Sequence, residues 1–275
     1  MENYTFPHRK FGIGAIIGDI VGSPFEFDRG DKSEDFPMFS SLSQATDDTV
    51  MTLAVAEGLM ISSGQSIDVI RDSVIKKMVS WAKQYPHAGY GARFRGWIYN
   101  PKPYGSFGNG SAMRVSSVGW MYNSLEEVMD YAKLTAEVSH NHPEGIKGAQ
   151  ATASAIYLAR IGTGKAEIKK QIETMFGYDL SRTLSEIRPQ YHHVESCQET
   201  VPEAITAYLE GNSFEDVVRK AVSLGGDCDT LTAIAASIAE ASYPVPGWIR
   251  EEALKRLDDV MRLSIEKLEQ FWDTL

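Results

Sequence analysis

The chain of 275 residues is 43% hydrophobic and 23% charged, the composition of a soluble globular protein with room for one large domain or two small ones. Its net charge of −10 argues against non-specific binding to nucleic acid or an anionic membrane, but not against a phosphorylated ligand held through metal or helix N-termini. Two cysteines, Cys197 and Cys228, imply no disulfide framework.

The first 22 residues hold an apolar stretch that Gly12, Gly14, Gly18, Asp19 and Gly22 interrupt. It is too short to span a bilayer and lacks a small-residue cleavage signature, so a cytoplasmic protein is expected. Gly14, Gly18 and Gly22 recur at every fourth position of one helix face, which predicts close helix–helix contact rather than a nucleotide-binding glycine loop. Beyond Pro24, Glu26 falls on a loop where a carboxylate can work as acid or base. Thr46-Asp47-Asp48 then precedes VMTLAVAEGLM, a small-apolar run that reads as a helix.

Apolar residues at three- and four-residue steps predict helices over 66–83, 124–138, 144–161 and 250–273. Ser66, Ser124 and Ser213 are candidate N-caps; Glu127 completes a capping box with Ser124, and Asp216 holds the same position after Ser213. Loops at 23–45, 85–90, 100–111 and 188–199 fall between helices and are expected to carry function. Within YGSFGNGSAMRV, a Gly-rich loop opens a helix near Ser111. Amides at Gly105, Gly108 and Gly110 can cradle a phosphate or sugar and Asn109 can orient hydroxyls; a plain turn is the competing reading. His140 and His142, two apart, do not make a zinc site by themselves, and His192-His193 beside Cys197 reads as a loop coincidence.

Asp227-Cys228-Asp229-Thr230 precedes a second small-apolar run, LTAIAASIAEASY. Residues two apart fall on nearly opposite helix faces, so Gly225 and Gly226 are expected to supply the backbone that lets Asp227 and Asp229 converge, with Cys228 facing away. Strand-type alternation is nearly absent, and no linker or repeat appears. The expected architecture is all-α: one compact multi-helix domain over 1–275.

The two acidic clusters lie about 180 residues apart, each with a threonine at a helix start. Aspartates there can be simple caps. As a matched pair they offer four carboxylates and two hydroxyls, the all-oxygen donor set that two hard divalent cations take. Without cations, such carboxylates repel one another and lose hydration.

Five blocks in order, GDIVGSPFE (18–26), ATDDTVMTLA (45–54), GSFGNGSAMRV (105–115), Ser139-His140 and GGDCDT (225–230), resemble the ADP-ribosylglycohydrolase family, which includes the dinitrogenase reductase-activating glycohydrolases. The resemblance runs from about Gly14 to Pro246. It implies an all-α bundle with a binuclear site for two divalent cations, Mg²⁺ or Mn²⁺. The implied ligands are Thr46, Asp47 and Asp48 facing Asp227, Asp229 and Thr230. It places Glu26 near the ions and the distal ribose, Ser106, Phe107, Gly108, Asn109 and Gly110 around the diphosphate and ribose, and His140 at the substrate pocket. Cys228 stands where many relatives have a second threonine.

The implied reaction is hydrolysis at the anomeric carbon of ADP-ribose through an oxocarbenium-like state, with Glu26 or Asp48 managing the proton. The expected partner is an ADP-ribosylated protein or small conjugate, with nucleic acid only as a modified substrate and no membrane. Two rivals are a two-metal nucleotide or phosphoester hydrolase and an inactive ADP-ribose-binding relative. The lack of a basic or histidine-dense cluster beside the acidic motifs counts against the first, and retention of every implied ligand against the second.

Overall fold

A computed structural model describes residues 11–275; residues 1–10, part of the stretch read as neither leader nor span, lie outside it. Among the described residues fifteen α-helices form: α1 (Gly14–Gly22), α2 (Asp47–Ile61), α3 (Ile67–Gln84), α4 (Ala92–Tyr99), α5 (Gly110–Met113), α6 (Ser116–Met121), α7 (Leu125–Glu137), α8 (Pro143–Arg160), α9 (Lys165–Phe176), α10 (Leu184–Ile187), α11 (Cys197–Glu210), α12 (Phe214–Val222), α13 (Cys228–Ser242), α14 (Gly247–Leu254) and α15 (Asp259–Trp272). The nearest thing to a strand there is an isolated antiparallel bridge between Gly108 and Ser196. The all-α expectation is correct. No helix among these residues is long and apolar enough to cross a membrane.

Helix α13 runs through the middle, buried from Cys228 to Ala241. Its alanines and threonines let α1, α8, α11 and α12 approach closely. The contact with α1 is backbone to backbone. A Cβ on Gly14 would fall 2.5 Å from the Ala236 carbonyl oxygen, one on Gly18 2.3 Å from that of Thr232, and one on Gly22 2.5 Å from that of Cys228. The two four-residue stripes interlock antiparallel, and the end of α1 meets the start of α13.

Outer helices follow ordinary amphipathic logic. α12 buries Phe214, Val217, Val218, Ala221 and Val222, and α15 buries Met261, Ser264, Ile265, Leu268 and Trp272. Each large apolar side chain so covered contributes roughly 1.5–3 kcal/mol. Ser124 and Ser213 cap α7 and α12 by accepting the Glu127 and Asp216 amides, whereas Ser66 makes no side-chain cap bond. The reciprocal capping box occurs instead at Thr183 and Glu186.

One predicted helix is two. The span 250–273 breaks after Leu254, because Asp258 is extended and caps α15 by accepting the Met261 amide at 2.9 Å. The Tyr85 hydroxyl donates to the same carboxylate at 2.8 Å. Leu257 is buried inside the break, so the apolar spacing continues through it and hides it.

Gly18→Ala is expected to destabilise the fold by about 3 kcal/mol, the upper end for overpacking, because the obstacle is a backbone carbonyl. Gly96→Ala in α4, where a Cβ meets nothing within 4 Å, is expected to stabilise by about 0.5–1 kcal/mol. Urea unfolding of both variants checks the contrast.

Candidate active site

Three chain segments form the acidic cluster of one cleft of about 390 Å³, which Glu195 of the 188–199 loop also lines. The first is the exit from α1, where Ser23–Phe25 makes a 3₁₀ turn and releases Glu26 in an extended conformation. The second is the start of α2, where Asp47 and Asp48 occupy the first turn. The third is the entry to α13. Gly225 and Gly226 adopt φ of +72° and +76° there, and a Cβ on Gly226 would fall 2.7 Å from the Tyr191 ring. That left-handed pair brings Asp227 and Asp229 to the same side. Glu26, Asp227 and Asp229 each offer an oxygen within 4.8 Å of the other two.

Asp48 Oδ2 accepts the Thr230 hydroxyl at 3.1 Å, tying α2 to α13. Its Oδ1 is buried with no hydrogen-bond partner. An orphaned carboxylate oxygen near further carboxylates is the kind of all-oxygen donor set that a hard divalent cation takes. Cys228 is buried, and its Sγ lies near the Val222 carbonyl and Thr232 hydroxyl rather than the cleft.

Asp19 was not singled out as a site residue in the sequence, yet it organises the α2 side. Fully buried in α1, it accepts the Thr46 amide (2.9 Å) and hydroxyl (2.7 Å) and the Thr49 amide (3.0 Å) and hydroxyl (2.5 Å). Thr46 is thereby the N-cap of α2: its hydroxyl donates to Asp19 and accepts the Asp48 amide at 3.3 Å. Thr46 is not among the residues that line the cleft. The signal was present, as a single acid within an otherwise apolar and glycine helix.

Burial raises the carboxyls of Asp19, Glu26, Asp47, Asp48, Asp227 and Asp229. Asp19 is pushed up to about 6 by burial, against the Thr46 and Thr49 donors. Burial and then the charges of Asp19, Asp227 and Glu26 push Asp47 up to about 8, although it is only partly covered. Asp48 and Asp229 sit well above the usual range, first through burial, then through Asp19, Asp47 and Asp227 for Asp48 and through Asp48, Asp227 and Asp19 for Asp229. Glu26 and Asp227 are raised by burial too, with the Asn109 amide holding Asp227 down.

The Gly-rich loop lies against 195–197. Asn109 N–H donates to the Glu195 carbonyl at 2.8 Å, and Cys197 N–H to that of Phe107 at 2.9 Å. Two amides expected to be free are taken: Gly105 N–H by Asn141 Oδ1 at 2.7 Å and Gly108 N–H by Ser106 Oγ at 3.1 Å. The Asn109 side chain is committed as well, its Nδ2 donating to Asp227 Oδ2 at 2.6 Å and Thr200 Oγ1 at 3.1 Å. Ser106, Gly108, Asn109 and Gly110 line the cleft. Phe107 does not; it is 46% exposed, with its ring 5.4 Å from that of His142. Sequence spacing cannot show which loop donors a neighbouring loop consumes.

His140 is buried in the cleft wall, its Nδ1 2.8 Å from Ser139 Oγ, which also accepts Arg114 Nη2 at 2.8 Å. Burial and the charges of Arg114 and Arg93 hold it well below the usual histidine range, so it is neutral near pH 7. His142, by contrast, caps α8. Arg93 and Tyr104, neither marked in the sequence, also line the cleft, with the guanidinium 4.8 Å from the ring centroid.

Comparison with known proteins shows the family and the fold. The ADP-ribosylglycohydrolase family model matches residues 9–274, and the chain belongs to that family. ADP-ribosylhydrolase ARH3 of Mus musculus is 26% identical over 309 aligned residues, covering 84% of this chain and 82% of that protein. ADP-ribosylarginine hydrolase Tri1 of Pseudomonas putida (strain GB-1) is 25% identical over 280, covering 88% and 72%. A solved structure described as an ADP-ribosylglycohydrolase-related protein complex superposes with a TM-score of 0.71 at 22% identity, covering 95% of both chains, and shares the fold.

A pH dependence follows. Asp19 and Asp47 keep their protons to about 6 and 8 when folded, above the unfolded carboxyl value near 4. The folded state therefore binds more protons across that window, and the stability these groups allow is lost as pH rises through it. In chelator, the unfolding midpoint is expected to fall between pH 5 and 8, less steeply in Asp48→Asn. Thermal scans across that range check it, and equal slopes for the two proteins contradict it.

Proposed function

We propose that the protein is a metal-dependent hydrolase that cleaves the glycosidic bond at the anomeric carbon of ADP-ribose, releasing it from a modified protein side chain or other conjugate. The observation that carries this reading is the shared cleft: Asp48 with its orphaned oxygen, Glu26, Asp227 and Asp229 lie in one cavity with the 106–110 loop and His140. The fold family supports it, as do relatives named for ADP-ribosyl hydrolysis.

Two divalent cations, Mg²⁺ or Mn²⁺, fit the all-oxygen set. Asp47 and Asp48 would hold them from α2, and Asp227, Asp229 and Thr230 from α13. The Thr46 hydroxyl keeps one lone pair beyond its two hydrogen bonds and can join them. When bound, such ions supply Lewis acidity and hold ribose hydroxyls and water in place.

The chain's own residues do the remaining work. Glu26, half-buried and with a raised pKa, is suited to take a proton from attacking water. Asp48 and its neighbours set negative charge where an oxocarbenium-like state develops positive charge. Asn109 fixes Asp227, and neutral His140 offers a hydrogen bond rather than a charge.

With metal at saturation, Asp48→Ala and Asp229→Ala are each expected to lower turnover about 100-fold or more. Mass spectrometry of products from arginine-, serine- and small-molecule-linked ADP-ribose should find free ADP-ribose. AMP with ribose phosphate would instead favour phosphoester hydrolysis, and tight ADP-ribose binding without any product an inactive relative.

A further inference from the structure

The segment after Glu26 is held in an unfavourable conformation. Phe27 and Asp28, consecutive and neither of them glycine, adopt φ of +60° and +57°, and Lys32 adopts +58°. Left-handed backbone at a non-glycine residue is disfavoured and persists only where the surroundings impose it. The core does not impose it, because residues 27–31 are exposed.

The Asp28 carboxylate supplies the constraint. Oδ1 accepts the Gly226 amide at 2.9 Å and Oδ2 accepts the His193 amide at 2.9 Å. The Asp28 amide points back to the Gly226 carbonyl at 3.5 Å. Lys32 Nζ adds bonds to the carbonyls of Arg188 (3.2 Å) and Tyr191 (2.5 Å), and the Phe27 ring lies 4.7 Å from that of His193. Among the described residues Asp28 makes no ion pair, so both its oxygens serve backbone amides.

These bonds join the two segments that carry facing carboxylates. Gly226 immediately precedes Asp227, and Asp28 follows Glu26 by two residues. We propose that Asp28 is a positioning residue of the active site: by clipping the Glu26 loop to Gly226 and His193, it holds the Glu26 carboxylate against Asp227 and Asp229. This rests on the reading above, in which Glu26 takes a proton from attacking water beside the ions that Asp227 and Asp229 would hold. Because the clip is exposed and lies off the core, its loss should move Glu26 without unfolding the protein.

The test is a double-mutant cycle with two readouts, release of ADP-ribose and Mn²⁺ affinity by calorimetry. Asp28→Ala is expected to lower kcat and Mn²⁺ affinity about tenfold or more, in line with other outer partners of metal ligands, with KM within about threefold. The unfolding midpoint should stay near that of the wild type. In a Glu26→Gln background the same change should have no further effect on either readout. Asp28→Asn, which tolerates left-handed backbone and keeps one acceptor, should lie between. Asp28→Gly relieves the backbone but removes both bonds, so it should behave like Asp28→Ala.

Wild-type kcat and Mn²⁺ affinity in Asp28→Gly would overturn the clip, as would an equal loss from Asp28→Ala with and without Glu26. Should the wild type release no ADP-ribose, the functional reading fails while the Mn²⁺ cycle still decides the role of Asp28. A wild type that neither turns over nor binds Mn²⁺ overturns both.

Discussion

The glycine face of α1 lies directly on the backbone of α13, and the positions of Glu26, Asp47, Asp48, Asp227 and Asp229 follow from that contact. With Gly22 against Cys228 and Asp229, the exit of α1 has to lie at the entry of α13. Glu26 then falls, four residues on, beside Asp227 and Asp229. The same helix carries Asp19, whose four hydrogen bonds to Thr46 and Thr49 fix the start of α2. One close-packed pair thus orients three acidic segments, and any side chain between the two helices would move all of them.

Such convergence is electrostatically unfavourable in isolation. Burial alone lifts these carboxyls, and their mutual repulsion lifts Asp47, Asp48 and Asp229 further. A fold built only for stability would avoid this arrangement or neutralise it with basic side chains. Here Arg29 and His193 offset the cluster only in part, and the cations Arg93 and Arg114 act on His140. A ligand of opposite charge at the acidic end would restore stability through its binding. The cleft is accordingly divided between an acidic end, suited on the proposed reading to metal and ribose, and a wall of arginine and neutral histidine.

The sequence made plain what depends on local spacing. The fourfold glycine repeat predicted the α1 contact, the paired Thr-Asp clusters the acidic floor, and Gly225-Gly226 the left-handed entry to α13. It was silent where long-range contacts decide. Asp19 is one polar residue in an apolar helix, and only the fold shows that Thr46 and Thr49 surround it. The amides of Gly105 and Gly108 read as free because Asn141 and the Ser106 hydroxyl reach them through the fold of the loop. Asn109 looked like a ligand-facing amide, yet Asp227, 118 residues away in sequence, takes its Nδ2. The break at Asp258 escaped detection because a buried Leu257 preserves helical spacing across it.

The proposed function depends on two oxygen-coordinated divalent ions at the acidic floor. Anomalous diffraction at the manganese edge, from crystals grown with Mn²⁺, tests it most directly. Two peaks are expected between the α2 and α13 carboxylates, one of them within coordinating distance of Asp48 Oδ1. A cleft with no anomalous peak, or a single peak remote from Asp48, would contradict the account.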